Sequence, residues 1–255
     1  MNHANFILTP SSEILKDVAS ASSGIGSGIE TFPLCDYVMQ SVFLKMTGAQ
    51  EQKMKCICWE LATHDYEYRY DRFSRQPLGE CSAYKDKKTI YADLIKLILR
   101  NQPSLSLTDI IDTAPLATET MQIIKDAFEG SNLLIWANKS FNEFIDIWQD
   151  FSPDHFATDK HNLFTNRSNL ANRNLWKDKK TLVEIYDGHL YNHRNRVAHN
   201  TLSYQQNLPT LKALVEKDFQ YNNYFIYFAI LILLDKVFIT LFEKYQQTRE
   251  ETSFV

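Results

Sequence analysis

A chain of 255 residues with 44% hydrophobic, 13% aromatic and 23% charged side chains has the composition of a globular protein, which excludes a largely disordered one. Only 7 glycines are present, so tight β-turns are few, and this favours an all-α protein over a β-sandwich or β-barrel. The formal net charge is −4, but many of the basic residues are concentrated in one window, residues 160–200.

The first residues lack a basic region followed by an apolar core, so we expect no signal peptide. Thr9 followed by Pro10 predicts a helix start, with Thr9 as N-cap, and this helix should end near Ala21. Residues 22–28 contain three alternating glycines. We interpret them as a linker, because a phosphate-binding loop would follow a strand and carry a Lys-Ser/Thr pair.

Two helices are predicted next, at residues 33–47 and 50–70, with a break at Gly48. A polar stretch with a proline and a glycine follows and is the clearest internal boundary. We therefore divide the chain into an N-terminal helical extension, residues 1–80, and a helical domain, residues 81–255. The later predicted elements are helices at 87–100, 117–129, 132–149, 177–199, 211–217 and 224–246, a long loop at 152–176 and a polar tail at 247–255.

The segment from Tyr224 to Leu234 is almost wholly apolar and has to be weighed as a membrane span. Eleven apolar residues are short for a span, which needs about 20. Asp235 and Lys236 follow directly, and an ionised pair near the middle of a span is costly in lipid. We expect a central helix of a soluble bundle, and no membrane association.

The four cysteines are irregularly spaced and contain no C-x-x-C pair, and no histidines at metal-site spacing accompany them. We interpret them as reduced, partly buried thiols of a cytoplasmic protein. We expect no metal site and no cofactor.

Residues 160–200 hold eight lysines and arginines against three acidic residues, a net charge of +5 in a chain whose total is −4. Four of the seven histidines fall in the same window. A basic strip on an acidic body can attract a polyanion, although an ordinary solvated loop has the same composition.

Within this window, Arg194-Asn195-Arg196-Val197-Ala198-His199 resembles the active motif of HEPN-family ribonucleases. That motif is R-x4-6-H, often with a polar residue such as asparagine directly after the arginine. In the family it lies late in a helical bundle, before a further apolar helix, and residues 224–242 follow in the corresponding place. The resemblance covers six residues and, in its helical context, about the last half of the chain.

The residue types suit RNA cleavage without a metal ion. Histidine with a pKa near neutrality can act as general acid or base, so His199 would take that role. Arg194 would clamp the phosphoryl oxygens and stabilise charge in the transition state, and Asn195 would orient the phosphate or the imidazole. DNA would be spared, because only RNA carries the attacking 2′-hydroxyl.

Helix geometry constrains how the motif can work. Residues i and i+4 lie about 40° apart around a helix, so Asn195 and His199 share a face. Arg194 and His199, at i and i+5, lie about 140° apart, so one ideal helix does not direct both at one point. Either the helix bends near His199 or two copies of the chain assemble the site. The resemblance favours the second alternative, a homodimer with both motifs in one cleft.

The resemblance therefore implies an all-α, HEPN-like helical bundle with an N-terminal extension. It also implies an endoribonuclease of toxin or antiviral defence type, with an inhibitory or activating protein partner. The residues expected to contact RNA are His189, His193, Arg196, Asn200 and Tyr204.

Three alternatives stay open. The chain could be an inactive HEPN-like module that binds nucleic acid or a partner protein, or a structural helical adaptor in which the motif arises by chance. His189 and His193, at i and i+4, also have the spacing of a helical metal pair, but only Asp187 and His161 offer a third ligand.

Overall fold

The computed structural model describes residues 2–149, 151, 153–165, 181–199 and 223–253. About 79% of these residues are helical and none lies in a strand, which confirms the all-α class for the described part. An isolated β-bridge joins Phe156 to Phe164. The predicted helix at 211–217 and, of the predicted loop at 152–176, residues 152 and 166–176 lie outside the described residues.

Helices provide almost all of the secondary structure. Among the described residues the α-helices are α1 (His3–Leu8), α2 (Ser12–Ala21), α3 (Phe32–His64), α4 (Tyr66–Tyr70), α5 (Tyr84–Asn101), α6 (Leu107–Ile110), α7 (Ala114–Phe128), α8 (Leu134–Gln149), α9 (Leu182–Ile185), α10 (Asn192–His199) and α11 (Tyr224–Ser253). Short 3₁₀ turns occur at Ser22–Gly24, Ile29–Thr31 and Pro153–His155, and π-helical segments occur at Asp71–Arg75 and Tyr186–Tyr191.

The central element is α11, which packs against α3, α5, α7 and α8. Every residue from Phe225 to Leu234 is buried, so this part of the helix is covered on all sides. By length and composition α11 could cross a membrane, but 83% of its most apolar stretch is buried inside the protein, as in the core helix of a soluble protein. The prediction that this helix ends at residue 246 is wrong, because α11 continues to Ser253.

The core joins the two predicted parts of the chain. One cluster of buried apolar side chains runs from Ile7, near the N-terminus, to Tyr245 in α11. Val42, Phe43 and Met46 of α3 belong to it, although they come from the predicted extension. Residues 1–80 and 81–255 therefore share a single hydrophobic core in the described structure.

The largest departure from the predicted helices is α3. It runs unbroken for 33 residues, where the sequence predicted two helices separated at Gly48. The apolar positions before and after Gly48 stay on the buried face, since Met46 and Ile57 are both fully covered. A glycine inside a helix costs only about 1 kcal/mol relative to alanine, and burial of this face outweighs that cost.

The predicted start of the first helix is also wrong by a few residues. Thr9 is the C-cap of the short helix α1, which the sequence did not predict, and its backbone N–H donates to the carbonyl of Asn5. The next helix begins at Ser12, not at Pro10. Pro10 thus lies in the corner between α1 and α2.

An ion pair in the core holds this corner, α3 and α11 together. Lys53 Nζ lies 2.5 Å from Asp235 Oδ1, and both side chains are only 3% exposed. Lys53 also donates to the carbonyl of Thr9 at 2.8 Å, and the backbone N–H of Ser11 donates to Asp235 Oδ2 at 2.7 Å. Burial lowers the pKa of Lys53, and the neighbouring Asp235 opposes that shift. Each charge therefore has hydrogen-bonding partners, which a buried ion pair requires.

Removing one partner of this pair should be strongly destabilising. We expect Lys53→Met to reduce the free energy of unfolding by about 3–5 kcal/mol, because Asp235 would keep a buried charge without its cation. Urea denaturation checks this value. Lys236→Met, which removes the partner of the half-exposed Glu119, is the matched control and should cost less than about 1 kcal/mol. A small loss for Lys53→Met would show that the pair is not buried as described.

Because α3 is unbroken at Gly48, we expect Gly48→Ala to stabilise the protein. Gly48 is exposed, and a Cβ built on it meets no atom within 4 Å. We expect the substitution to increase the free energy of unfolding by about 0.5–1 kcal/mol, because alanine has less conformational entropy to lose. Thermal denaturation measures the change. Destabilisation would contradict an unbroken helix and favour the predicted break.

Candidate active site

The motif lies at the end of a helical segment that begins at Thr181. Thr181 and Glu184 form a capping box, in which each side chain accepts a hydrogen bond from the other residue's backbone N–H. The backbone then runs through α9, a π-helical stretch of six residues and α10 without interruption. Such π-helical insertions are frequent at functional sites. The predicted helix toward His199 is confirmed from residue 182.

Arg194 is held at the surface between two polar partners. Its Nη2 lies 2.9 Å from Oε1 and 3.0 Å from Oε2 of Glu51 in α3. Its Nη1 donates to Oδ1 of the adjacent Asn195 at 3.1 Å. The Arg194 side chain is 24% exposed and that of Glu51 is 16% exposed. The first two residues of the motif are therefore brought together, and both remain partly accessible to a ligand.

Glu51 is the residue that sequence reasoning missed. It lies 143 positions before Arg194, in the part of the chain to which the sequence assigned no role. A single acidic residue on a long helix has no local signature that links it to a distant arginine. Only the packing of α10 against α3 makes the contact.

Two other basic residues of the motif region have described side chains. Arg196 and His189 are half-buried, and each takes part in contacts with neighbouring groups. The backbone of His199 ends α10, and its side chain lies outside the described atoms, as do Asn200 and Tyr204 entirely. Three of the eight predicted site residues are thus without a described side chain.

His193 occupies an interior position that differs from the expected RNA contact. Only 6% of the residue is exposed, and its ring packs against Phe43 at 5.3 Å and Tyr227 at 5.8 Å between ring centroids. Its Nε2 is 2.9 Å from the hydroxyl of Tyr224 in α11. Burial, with a smaller effect of Arg196, lowers the pKa of His193 to about 4. The ring is therefore neutral near pH 7 and fixes α10 to the core, and it offers little surface to RNA.

The backbone of α10 bears on the two alternatives for completing the site, a helix bend near His199 or assembly by two copies of the chain. All residues from Asn192 to His199 are α-helical, so the described backbone continues as one helix through the motif. In an ideal helix, positions 194 and 199 lie about 140° apart around the axis.

A group of buried polar residues lies behind the Arg194–Glu51 pair. Lys87 of α5 is buried, its Nζ donates to the carbonyls of Cys81 and Ser82, and it lies 5.2 Å from the centre of the Tyr186 ring. Burial lowers the pKa of Lys87 to about 8, opposed by negative charges that include Glu51. Lys87 and Tyr186 are both buried, and a buried surrounding of low dielectric strengthens electrostatic interactions nearby.

The buried His193 predicts a specific pH dependence of stability. The folded protein has a pKa of about 4 at this group, against an ordinary value near 6.5, so the unfolded chain binds the proton more tightly. The stabilisation is complete above pH 6.5 and is lost as the pH falls toward 4. Between pH 7 and pH 4.5 we expect His193 to account for a loss of about 2 kcal/mol.

Urea denaturation of the wild type and of His193→Gln at both pH values checks this expectation. Glutamine can hydrogen-bond to Tyr224 but does not titrate, so the variant should lose about 2 kcal/mol less than the wild type over this range. Equal losses in both proteins would mean that His193 titrates normally and is not buried. Carboxylates elsewhere contribute equally to both proteins and cancel in the comparison.

Comparison of the chain with protein-family models, with curated proteins and with solved structures finds no match in any of the three. The resemblance to HEPN ribonucleases accordingly rests on residues 194–199 and on their helical context.

Proposed function

We propose that the protein is a metal-independent endoribonuclease of HEPN type. The observation that carries the proposal is the pairing of Arg194 with Asn195 on a partly exposed face of α10, in the same helix as His199. The residue order that suggested the chemistry is thus combined with a geometry in which a guanidinium and an amide can reach one phosphate. The helical fold with a buried apolar helix after the motif supports the same assignment.

The reaction follows from the residue types. The 2′-hydroxyl of the substrate loses its proton to a base and attacks the adjacent phosphorus, and the bond from phosphorus to the 5′-oxygen breaks. The 5′-oxygen gains a proton, so the products are a 2′,3′-cyclic phosphate and a 5′-hydroxyl. His199 supplies proton transfer, Arg194 stabilises the charge on the phosphoryl oxygens, and Asn195 orients the phosphate.

A homodimer is part of the proposal. Positions 194 and 199 of an ideal α-helix lie about 140° apart, so we assign the two functions at one phosphate to two copies of α10. A symmetric dimer would place two such sites about its axis. The predicted cytoplasmic location, a role as toxin or antiviral effector, and control by a protein partner belong to the same proposal.

The second candidate is an inactive HEPN-like module that binds nucleic acid or a partner protein. The engagement of Arg194 by Glu51 favours it, because the arginine is neutralised in the isolated chain. Such a module would bind through the same face without cleaving RNA.

Incubation of the purified protein with total RNA in EDTA tests the proposal. We expect the wild type to give fragments with cyclic-phosphate ends, since the chemistry needs no metal ion. Arg194→Ala and His199→Ala should each reduce the rate at least 100-fold, through loss of charge stabilisation and of proton transfer. Gel analysis and mass spectrometry of the fragment ends provide the measurement.

Arg75→Ala is the matched control, because it also removes an arginine from an ion pair, with Asp71, but outside the motif. It should cleave like the wild type. Melting temperatures of all variants separate loss of activity from loss of folding. Intact RNA in every lane would favour the binding module, and equal cleavage by every variant would exclude the motif as the active site.

A further inference from the structure

The contact between Arg194 and Glu51 engages one particular nitrogen of the guanidinium. Nη2 lies within 3.0 Å of both carboxylate oxygens, and Nη1 donates to Asn195. An arginine presents two edges that can bind an oxyanion at two points, one formed by Nη1 and Nη2 and the other by Nε and Nη2. Nη2 belongs to both edges. In this structure Glu51 therefore contacts the one nitrogen that either two-point contact with a phosphate would use.

Glu51 is held in this position by the core. In the same turn of α3, Gln50 donates to the carbonyl of Leu231 at 3.3 Å and Lys53 forms the buried pair with Asp235. The backbone of Glu51 is thus fixed against α11 on both sides. The carboxylate itself is only 16% exposed, so water competes weakly for it.

On the basis of the proposed function, we infer that Glu51 is a built-in restraint on the ribonuclease. Its carboxylate occupies the arginine edge that the scissile phosphate requires, and RNA binds productively only when the Arg194–Glu51 pair opens. The phosphodiester of single-stranded RNA and the Glu51 carboxylate compete for the same donors. The observed affinity for RNA is then the intrinsic affinity reduced by the fraction of molecules in which the pair is open.

The restraint also indicates what an activator has to do. Both helices are fixed to the core, α3 at Gln50 and Lys53 and α10 at His193. The pair therefore opens by rotation of the Arg194 or Glu51 side chain. A partner, or a second copy of the chain, that supplies a cation for Glu51 would release Arg194 without disturbing the core.

The test uses full-length protein and a single-stranded oligonucleotide that cannot be cleaved because its 2′-hydroxyls are methylated. We expect Glu51→Gln to bind this probe about tenfold more tightly than the wild type, since a neutral amide competes poorly with a phosphate for a guanidinium. Glu80→Gln is the matched control, because it removes the carboxylate of another α3 ion pair, with Lys55, at an exposed position. It should bind like the wild type.

A double variant shows whether the gain passes through Arg194. In Glu51→Gln combined with Arg194→Ala, the gain relative to Arg194→Ala alone should disappear. A gain that persists without Arg194 would mean that Glu51 acts only by repelling the probe and would overturn the inference. If Glu51→Gln does not fold, Glu51→Asp takes its place, with an expected gain of about threefold from a carboxylate one methylene further away.

Equal or weaker binding by the Glu51 variant, or no binding by either protein, would also overturn the restraint. A cleavage assay with unmodified RNA tests the proposed ribonuclease activity separately from the restraint by Glu51. Cleavage by the wild type without a gain in the Glu51 variant would leave the ribonuclease standing and remove the restraint. A gain in affinity without cleavage by any variant would keep the restraint and favour the binding module.

Discussion

The fold depends on one buried pair of charges. Asp235 follows the wholly buried stretch from Phe225 to Leu234 of α11, and a carboxylate there is tolerated only because Lys53 and the N–H of Ser11 satisfy it. That requirement joins α11 to α3 and to the corner between α1 and α2. Unlike apolar packing, which tolerates small rotations, a hydrogen-bonded ion pair fixes the position of α3 along α11. The rest of the helices pack around this fixed relationship.

The candidate site depends on the same turn of α3. Gln50 and Lys53 face the core, and Glu51 between them faces the motif helix. His193 fixes α10 from the other direction through Tyr224 of α11. Arg194 is thus positioned by residues of the N-terminal region and of the final helix. The region that the sequence left without a role therefore contributes to both the core and the site.

Features that depend on local composition could be predicted, and features that depend on distant contacts could not. Scarcity of glycine predicted the all-α class, and the interruption by Asp235 correctly indicated a core helix. The break predicted at Gly48 came from local helix propensity, which takes no account of the burial of apolar side chains on both sides of Gly48. The sequence does not show whether a histidine is exposed or buried, and the pKa of His193 depends on its burial where α10 packs against Phe43. Glu51 could not be found from any sequence pattern.

The π-helical stretch of six residues before α10 has a consequence for how such motifs are read. Each residue added to or removed from a helix turns everything after it by about 100°. The direction of Arg194 is therefore determined by the count of residues between the Thr181 cap and the motif as much as by the motif's letters. A π-helical turn holds more residues than an α-helical turn, so an identical Arg-Asn-x-x-x-His after an all-α segment of equal length would direct its arginine differently. The rotational position of a motif around its helix axis is thus a property of the site that a motif search does not detect.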